Sequence, residues 1–321
     1  MKYAENILDL VGNTPLVKIT KLNPNPKVTI LAKLEYFNPG GSMKDRMAVA
    51  MVEDAEKKGL LKKGGIIVEP TSGNTGAGLA MIAAIRGYTL IAVMTEKVSL
   101  EKELVLRAYG AEVVRTRMDV DHTHPEYYVN VAKKIAQEKD AFMPDQYNNP
   151  ANPLAYYQTA GPEIWRDTEG KITHFVATIG TGGSISGIAQ YLKEKNPKVQ
   201  IIGVDADGSM LHHYFNHTDG EPHPYKVEGP GKDFIPNSLA IQYIDKVMVV
   251  NDAHAFATAR ELAREEGILA GGSSGMALFA AKQVAKQLPK DATIVVLLPD
   301  SGKGYVSTFY NDRWMRENKF L

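Results

Sequence analysis

The chain is 321 residues long, and its 37 Lys+Arg balance 37 Asp+Glu to a formal net charge of zero at pH 7. That balance argues against a general nucleic-acid binder, which needs surplus cations to displace counterions from phosphates, and against a polybasic membrane anchor. Hydrophobic residues at 44% and charged residues at 23% are globular proportions, while the absence of cysteine removes disulfides, thiolate metal sites and a cysteine nucleophile together.

The opening segment, MKYAENILDL, carries Glu5 and Asp9 where an export signal needs an apolar core. No apolar run approaches the roughly 18 residues of a membrane helix, so a cytoplasmic protein without a membrane partner is expected. From about residue 28 onward, short apolar runs alternate with helical patterns. Strands are predicted at 28–37, 64–70, 89–94, 111–116, 174–180, 199–206, 246–250 and 292–299. Helical periodicity fills intervals between them, as in MAVAMVEDAEKKGL, GAGLAMIAAIR, LEKELVLRAYG, GSISGIAQYLKEK and HAFATARELAREEG. Near-continuously apolar strands separated by helices long enough to cross over predict an α/β fold of parallel βαβ units. In such sheets ligands sit at the carboxyl ends of strands, where helix N-termini point. DQYNNPANP (145–153) is a turn-rich joint and the expected domain crossing. A second irregular stretch, from about Gly208 to Ser238, is long enough to cover a site.

Four strand-to-helix turns carry polar or glycine-rich sequence. The first, Asn38-Pro-Gly-Gly-Ser-Met-Lys44-Asp-Arg46, lets the backbone turn sharply and offers Ser42 as an N-cap. It delivers Lys44 near a helix start, where positive potential disfavours the ammonium and favours a nucleophilic amine for a Schiff base. A solvated lysine in a capped turn is the plain alternative. The second, Glu69-Pro-Thr71-Ser72-Gly73-Asn74-Thr75-Gly76, presents hydroxyls, an amide and backbone N–H groups to one anion, such as an amino-acid carboxylate. An ordinary capping turn is its alternative. The third, Gly180-Thr181-Gly182-Gly183-Ser184, suits a phosphate monoester held by N–H groups, or is a tight turn without ligand. It lacks both the G-K-S/T ending of a P-loop and the G-x-G-x-x-G of a dinucleotide site. The fourth, Gly271-Gly272-Ser273-Ser274-Gly275 with Leu298-Pro299-Asp300-Ser301-Gly302 after it, reads alone as loops.

A lysine, a carboxylate cradle and a phosphate cradle in one α/β chain suggest pyridoxal phosphate chemistry. NPGGSMKDR, EPTSGNTG, GTGGS and GGSSG, in that order and preceded by Gly12-Asn-Thr-Pro-Leu16, resemble the fold-type II pyridoxal-phosphate β-replacement enzymes. That family includes O-acetylserine sulfhydrylase and cystathionine β-synthase. The resemblance implies a fold like the tryptophan synthase β subunit, with two open, twisted, mostly parallel sheets flanked by helices. Residues 44–152 would form a smaller mobile domain carrying the lysine and the carboxylate loop. Residues 1–43 plus 153–321 would form a larger, phosphate-binding one. It further implies pyridoxal 5'-phosphate as cofactor, bound through Lys44, which would also move the α-proton. By the same resemblance Thr71, Ser72, Asn74 and Thr75 hold the substrate carboxylate, and Asn74 also bonds the cofactor's phenolate oxygen. Gly180, Thr181, Gly182, Gly183 and Ser184 hold the phosphate, Ser273 bonds the pyridine nitrogen, and Gln146 lines the substrate side. A neutral serine at that nitrogen makes a weaker electron sink, suited to expelling a β-substituent. A homodimer is implied as well.

EYFNPGGS (35–42), Asp145-Gln146-Tyr147, YKVEGPGKDFIP (225–236) and the ending NDRWMRENKFL are similar to the cystathionine β-synthase branch. That implies condensation of L-serine, or an activated serine, with the thiol L-homocysteine through an aminoacrylate. The alternative is a cysteine synthase joining O-acetylserine and sulfide. Hydroxide is a poor leaving group, so Lys44 and Tyr147 are the expected proton donors. Glu228 pairs with the amino group of homocysteine or is a solvated loop carboxylate. The chain departs from the branch at Lys232, Tyr156 and Ala160, which stand in place of Tyr, His and Thr; Lys232 would set a cation near the mouth. No haem is expected, and the chain ends where longer relatives begin a regulatory domain. His122, His124, His212, His213 and His217 read as loop-exposed rather than as a metal cluster, and Trp165 and Trp314 as packing anchors.

Overall fold

The computed structural model describes every residue except Lys2, Ser72, Lys97, Asp121 and His122. In chain order the first elements are β1 (Leu16–Ile19), β2 (Thr29–Leu34), α1 (Lys44–Lys57), β3 (Ile66–Pro70), α2 (Asn74–Arg86), β4 (Thr89–Thr95), α3 (Leu100–Ala108), β5 (Glu112–Thr116) and α4 (Tyr128–Glu138). There follow α5 (Ala151–Gln158), α6 (Ala160–Asp167), β6 (His174–Thr178), α7 (Gly183–Lys195), β7 (Gln200–Ala206) and α8 (Leu211–Asn216). The last are β8 (Lys246–Val250), α9 (Asp252–Glu266), α10 (Gly272–Gln287), β9 (Thr293–Leu298) and α11 (Asp312–Glu317). The chain divides into two compact units, one of Met1–Val11 and Asn38–Asn152, the other of Gly12–Phe37 and Pro153–Leu321. Among the described residues no helix is long and apolar enough to cross a membrane.

In the first unit β3, β4 and β5 form a parallel three-stranded sheet, with Val68 opposite Ile91 and Ile91 opposite Glu112. Both faces of β3 and β4 are covered, which is why those two strands are apolar at most positions. Ile67, Ala92 and Met94 pack with Ala48, Val52, Leu79 and Ile82 of α1 and α2, while Val68, Ile91 and Val93 pack with Ala132 of α4. Each fully buried Leu or Ile side chain contributes about 1.5–3 kcal/mol. Helices α1 and α2 approach closely at Gly78, where an added Cβ would lie 3.1 Å from that of Ala48.

The second unit holds a six-stranded sheet in the order β1-β2-β9-β6-β7-β8. Only the β1–β2 pair is antiparallel; Ala32 faces Val296 in β9, and Val176 of β6 faces Val296 from the other side. The carboxyl ends of β6, β7 and β9 therefore share one edge of the sheet. The buried side chain of Lys33, on β2, donates to the Thr14 carbonyl at 2.6 Å and to Glu163 Oε2 at 2.8 Å. Glu163 Oε1 accepts the Asn13 N–H at 2.9 Å, and the Thr14 hydroxyl donates to Glu35 Oε1 at 2.6 Å. Lys33 and Glu163 thus pair their charges inside the fold, as burial requires.

All the predicted strands form. Strand β1 is an addition to the expected set: LVKI is short, mostly exposed and antiparallel at the sheet edge, so it lacks the apolar run that marks the others. Helix α1 starts at Lys44, ahead of the apolar period that begins at Met47. The irregular stretch from Gly208 to Ser238 contains the short helix α8.

Candidate active site

In the first unit the Asn38–Lys44 turn is drawn tight by Asp45, whose Oδ2 accepts the Gly40 N–H at 2.6 Å. A Cβ on Gly40 would meet that carboxylate at 2.5 Å, and Gly41 has φ +83°, so both glycines are required by the turn. Ser42 Oγ accepts the Lys44 N–H at 3.2 Å, although Met43 holds the N-cap position. Lys44 emerges as the first residue of α1, half-buried, with Nζ 3.8 Å from Met47 Sδ.

The Thr71 loop lies at the carboxyl end of β3. The buried Thr71 Oγ1 accepts the N–H groups of Gly73 at 3.1 Å and Gly76 at 3.0 Å, satisfying donors at the start of α2. Its hydroxyl hydrogen is then left to donate outward. Ser72 lies outside the described residues, and Asn74 is the first residue of α2. The Thr75 hydroxyl donates to Gln146 Oε1 at 2.8 Å, and Gln146 Nε2 donates to the Pro70 carbonyl at 3.0 Å. Thr71, Thr75 and Gln146 are thus brought to one place. Tyr147 is buried beside them in sequence, its hydroxyl 3.4 Å from that of Tyr128.

Beneath this loop sits a residue to which the sequence reading assigned no part. Glu69, the penultimate residue of β3, is fully buried. Its carboxyl accepts the Asp145 N–H at 3.0 Å and the Gln146 N–H at 3.3 Å. Burial pushes its pKa up to about 8; the two N–H groups oppose the rise, the Asp145 charge adds to it, and the Lys44 charge opposes it. The signal available in sequence is a carboxylate at the end of an otherwise apolar run, GGIIVEP.

In the second unit the Gly180–Ser184 loop joins β6 to α7. Gly182 caps α7 with φ +84°, and a Cβ there would lie 2.6 Å from that of Leu239. At Gly180 a Cβ would lie 2.4 Å from the Gly229 carbonyl oxygen. Ser186 N–H to the Gly182 carbonyl, at 3.0 Å, is the first bond of the helix. The N–H groups ahead of it are directed toward the space at the helix start, where an anion is favoured. The Gly231 N–H donates to the Ile179 carbonyl at 2.7 Å, which lays the 228–231 segment on this loop and brings Glu228 to it.

Ser273 is the second residue of α10 and is buried. The Gly271 N–H donates to the Asp300 carbonyl at 3.0 Å, setting the start of α10 at the carboxyl end of β9. Because β6 and β9 are neighbours, Ser273, Glu228 and the 180–184 loop occupy the same edge of this sheet. Val227 binds them further: its N–H donates to Asp252 Oδ1 at 2.8 Å, and its side chain lies against Gly272. His212 faces the buried Asp205 carboxylate at 2.9 Å, and His213 faces the Thr218 hydroxyl at 3.0 Å. His122 lies outside the described residues.

Comparison with known proteins places this geometry. Residues 7–300 match the family described as pyridoxal-phosphate dependent enzyme. The chain is 48% identical over 323 residues to cystathionine beta-synthase of Oryctolagus cuniculus, covering 100% of this chain and 59% of that one. It therefore spans less than two thirds of the length of that relative. Among solved structures, O-ureido-L-serine synthase superposes with a TM-score of 0.90 at 37% identity, covering 98% of this chain and 100% of the other. A hydrogen sulfide-producing enzyme from Fusobacterium nucleatum superposes with a TM-score of 0.88 at 40% identity, covering 94% and 100%. With the match running through Lys44, the Thr71 loop and the 180–184 loop, the chain belongs to the pyridoxal-phosphate-dependent enzymes of fold type II.

Proposed function

We propose that the chain catalyses β-replacement, joining L-serine or an activated serine to L-homocysteine to give L-cystathionine. The observation that carries this reading is 48% identity, across the whole chain, to an enzyme named for that product. The residues present fit the cofactor. A phosphate needs converging donors and little bulk, and the 180–184 loop offers N–H groups, the hydroxyls of Thr181 and Ser184, and glycine at 180, 182 and 183. Ser273 offers a neutral hydroxyl for the pyridine nitrogen, and Asn74 an amide for the phenolate oxygen. When bound, pyridoxal phosphate supplies an aldehyde for an amine and an electron sink for the substrate's α-carbon.

The chain's own groups then have distinct tasks in this reading. Lys44 takes the α-proton and, as an ammonium, returns it. Thr71, Ser72, Asn74 and Thr75, with Gln146, orient the substrate carboxylate. Thr71 suits this because its oxygen is occupied by two N–H groups while its hydrogen remains to donate. Tyr147 protonates the departing hydroxyl, and Glu228 pairs with the amino group of the thiol substrate. A homodimer acting in the cytoplasm completes the reading, and sedimentation of the purified chain tests the dimer.

A second reading, a cysteine synthase using O-acetylserine and sulfide, draws on Lys232, whose cation suits a small anionic nucleophile, and on the likeness to a hydrogen sulfide-producing enzyme. Supplying serine or O-acetylserine with homocysteine or sulfide, and identifying products by mass, separates the two. Preference for acetylserine with sulfide in kcat/KM would reverse their order. Lys44→Ala is expected to lose the yellow colour of bound cofactor and about 10²–10⁴-fold of activity. A variant as active as the parent would end the assignment of that lysine.

A further inference from the structure

We propose that Glu69 is a positioning residue: its carboxyl clamps the Asp145–Tyr147 segment to the end of β3 and so keeps Gln146 in register with the Thr71–Thr75 loop. The inference rests on the reading of that loop as the substrate-carboxylate cradle, and it extends the site to a residue beneath the cradle.

A carboxyl group inside an apolar strand is costly unless its oxygens are matched. Glu69 is matched by two consecutive main-chain donors, one to each oxygen, from a segment 76 and 77 residues away. Asp145 is at φ +53°, a left-handed conformation uncommon outside glycine but one that Asp tolerates. Backbone turns that aim successive N–H groups at one point are anion cradles, and here the protein fills the cradle with its own side chain. The consequence falls on Gln146. Its N–H is on Glu69, its amide joins the Pro70 carbonyl to the Thr75 hydroxyl, and its carbonyl accepts Asn152 Nδ2 at 2.7 Å. With the Glu69 acceptors removed, the half-buried Asp145 N–H and the buried Gln146 N–H lose their partners. Gln146 then keeps its contacts to Pro70, Thr75 and Asn152 but loses the main-chain anchor that sets its register over Thr75.

The test uses the full-length holoprotein and the variants Glu69→Ala, Glu69→Gln and Gln146→Ala. Hydrogen exchange reads the clamp directly. Peptides containing the Asp145 and Gln146 amides should exchange about tenfold faster or more in Glu69→Ala and by a smaller factor in Glu69→Gln, which keeps one acceptor. Peptides from β7 should be unchanged. In turnover, KM for the amino-acid donor should rise about tenfold while KM for the thiol stays within about twofold, since the displaced groups face only the donor. The double variant Glu69→Gln with Gln146→Ala should lose less activity than the sum of its parts, because the Glu69 change acts by misplacing the Gln146 side chain that the other change removes. Should Glu69→Ala fail to fold, Glu69→Gln and the cycle decide the matter. Unchanged exchange at Asp145 and Gln146, equal rises in both KM values, or strict additivity would each overturn the proposal. If the parent protein turned over no amino acid at all, the proposed function would fall while the exchange experiment still judged the clamp.

Discussion

The Thr71–Thr75 loop of the first unit is ordered by side chains, whereas the Gly180–Ser184 loop of the second is ordered by main chain lying against main chain. In the first, Thr71, Thr75, Gln146 and Glu69 exchange hydrogen bonds of 2.8–3.3 Å. In the second, Gly180 and Gly182 bring the loop against Gly229 and Leu239 at distances no Cβ could tolerate. A loop held by side-chain groups answers to chemistry: exchange of an oxygen for a nitrogen, or a change of pH, alters it. One shaped by close backbone approach answers to volume as well.

Gly182→Ala puts the largest strain on this contrast. A left-handed alanine costs about 1–2 kcal/mol and overpacking against Leu239 about 1–3 more, so a loss of about 2–5 kcal/mol is expected. Calorimetry and cofactor titration would measure it, and an unchanged melting temperature would show the second loop to be as adaptable as the first. The opposite test is pH. The unfolded Glu69 carboxyl has a pKa of 4.5 and the folded one about 8, so in between the folded chain carries a proton the unfolded chain has released. This stability is complete below pH 4.5 and is lost as pH rises toward 8, by about 1.4 kcal/mol per unit, or about 3 over two units. Thermal melts from about pH 5.5 to 7.5 should show that fall, and Glu69→Gln, with no proton to release, should flatten it. Gln146→Ala strands the Thr75 hydroxyl and the Pro70 carbonyl and should cost about 1–3 kcal/mol by denaturant titration. Asn148→Ala removes an exposed contact to the Asp145 carboxylate and should cost under about 0.5 kcal/mol, which marks the edge of the clamp.

The same contrast explains what is legible in the sequence. TIVVLL and HFVAT announce their strands because a strand covered on both faces is apolar at nearly every position. Strand β1 is silent for the converse reason. Thr71 is readable as a cap, since its partners Gly73 and Gly76 are a few residues off. The role of Glu69 is not, because its partners arrive from 76 residues away and a side-chain-to-backbone contact at that distance leaves no periodic trace. The first three loops each leave two meanings open, and it is their order along the chain that resembles a known family.

The strand order of the second unit governs how the chain is made. β2 is complete at Leu34, yet its parallel neighbour β9 begins only at Thr293, so one edge of β2 waits without its mate through most of synthesis. β3, β4 and β5 follow one another and pair as they emerge, which lets the first unit consolidate while the second is still an open sheet. A nascent or truncated product lacking 293–298 displays the bare apolar edges of β2 and β6, the surface that chaperones shield and proteases probe. The larger unit therefore closes only once β9 has been made, whatever the state of the first unit.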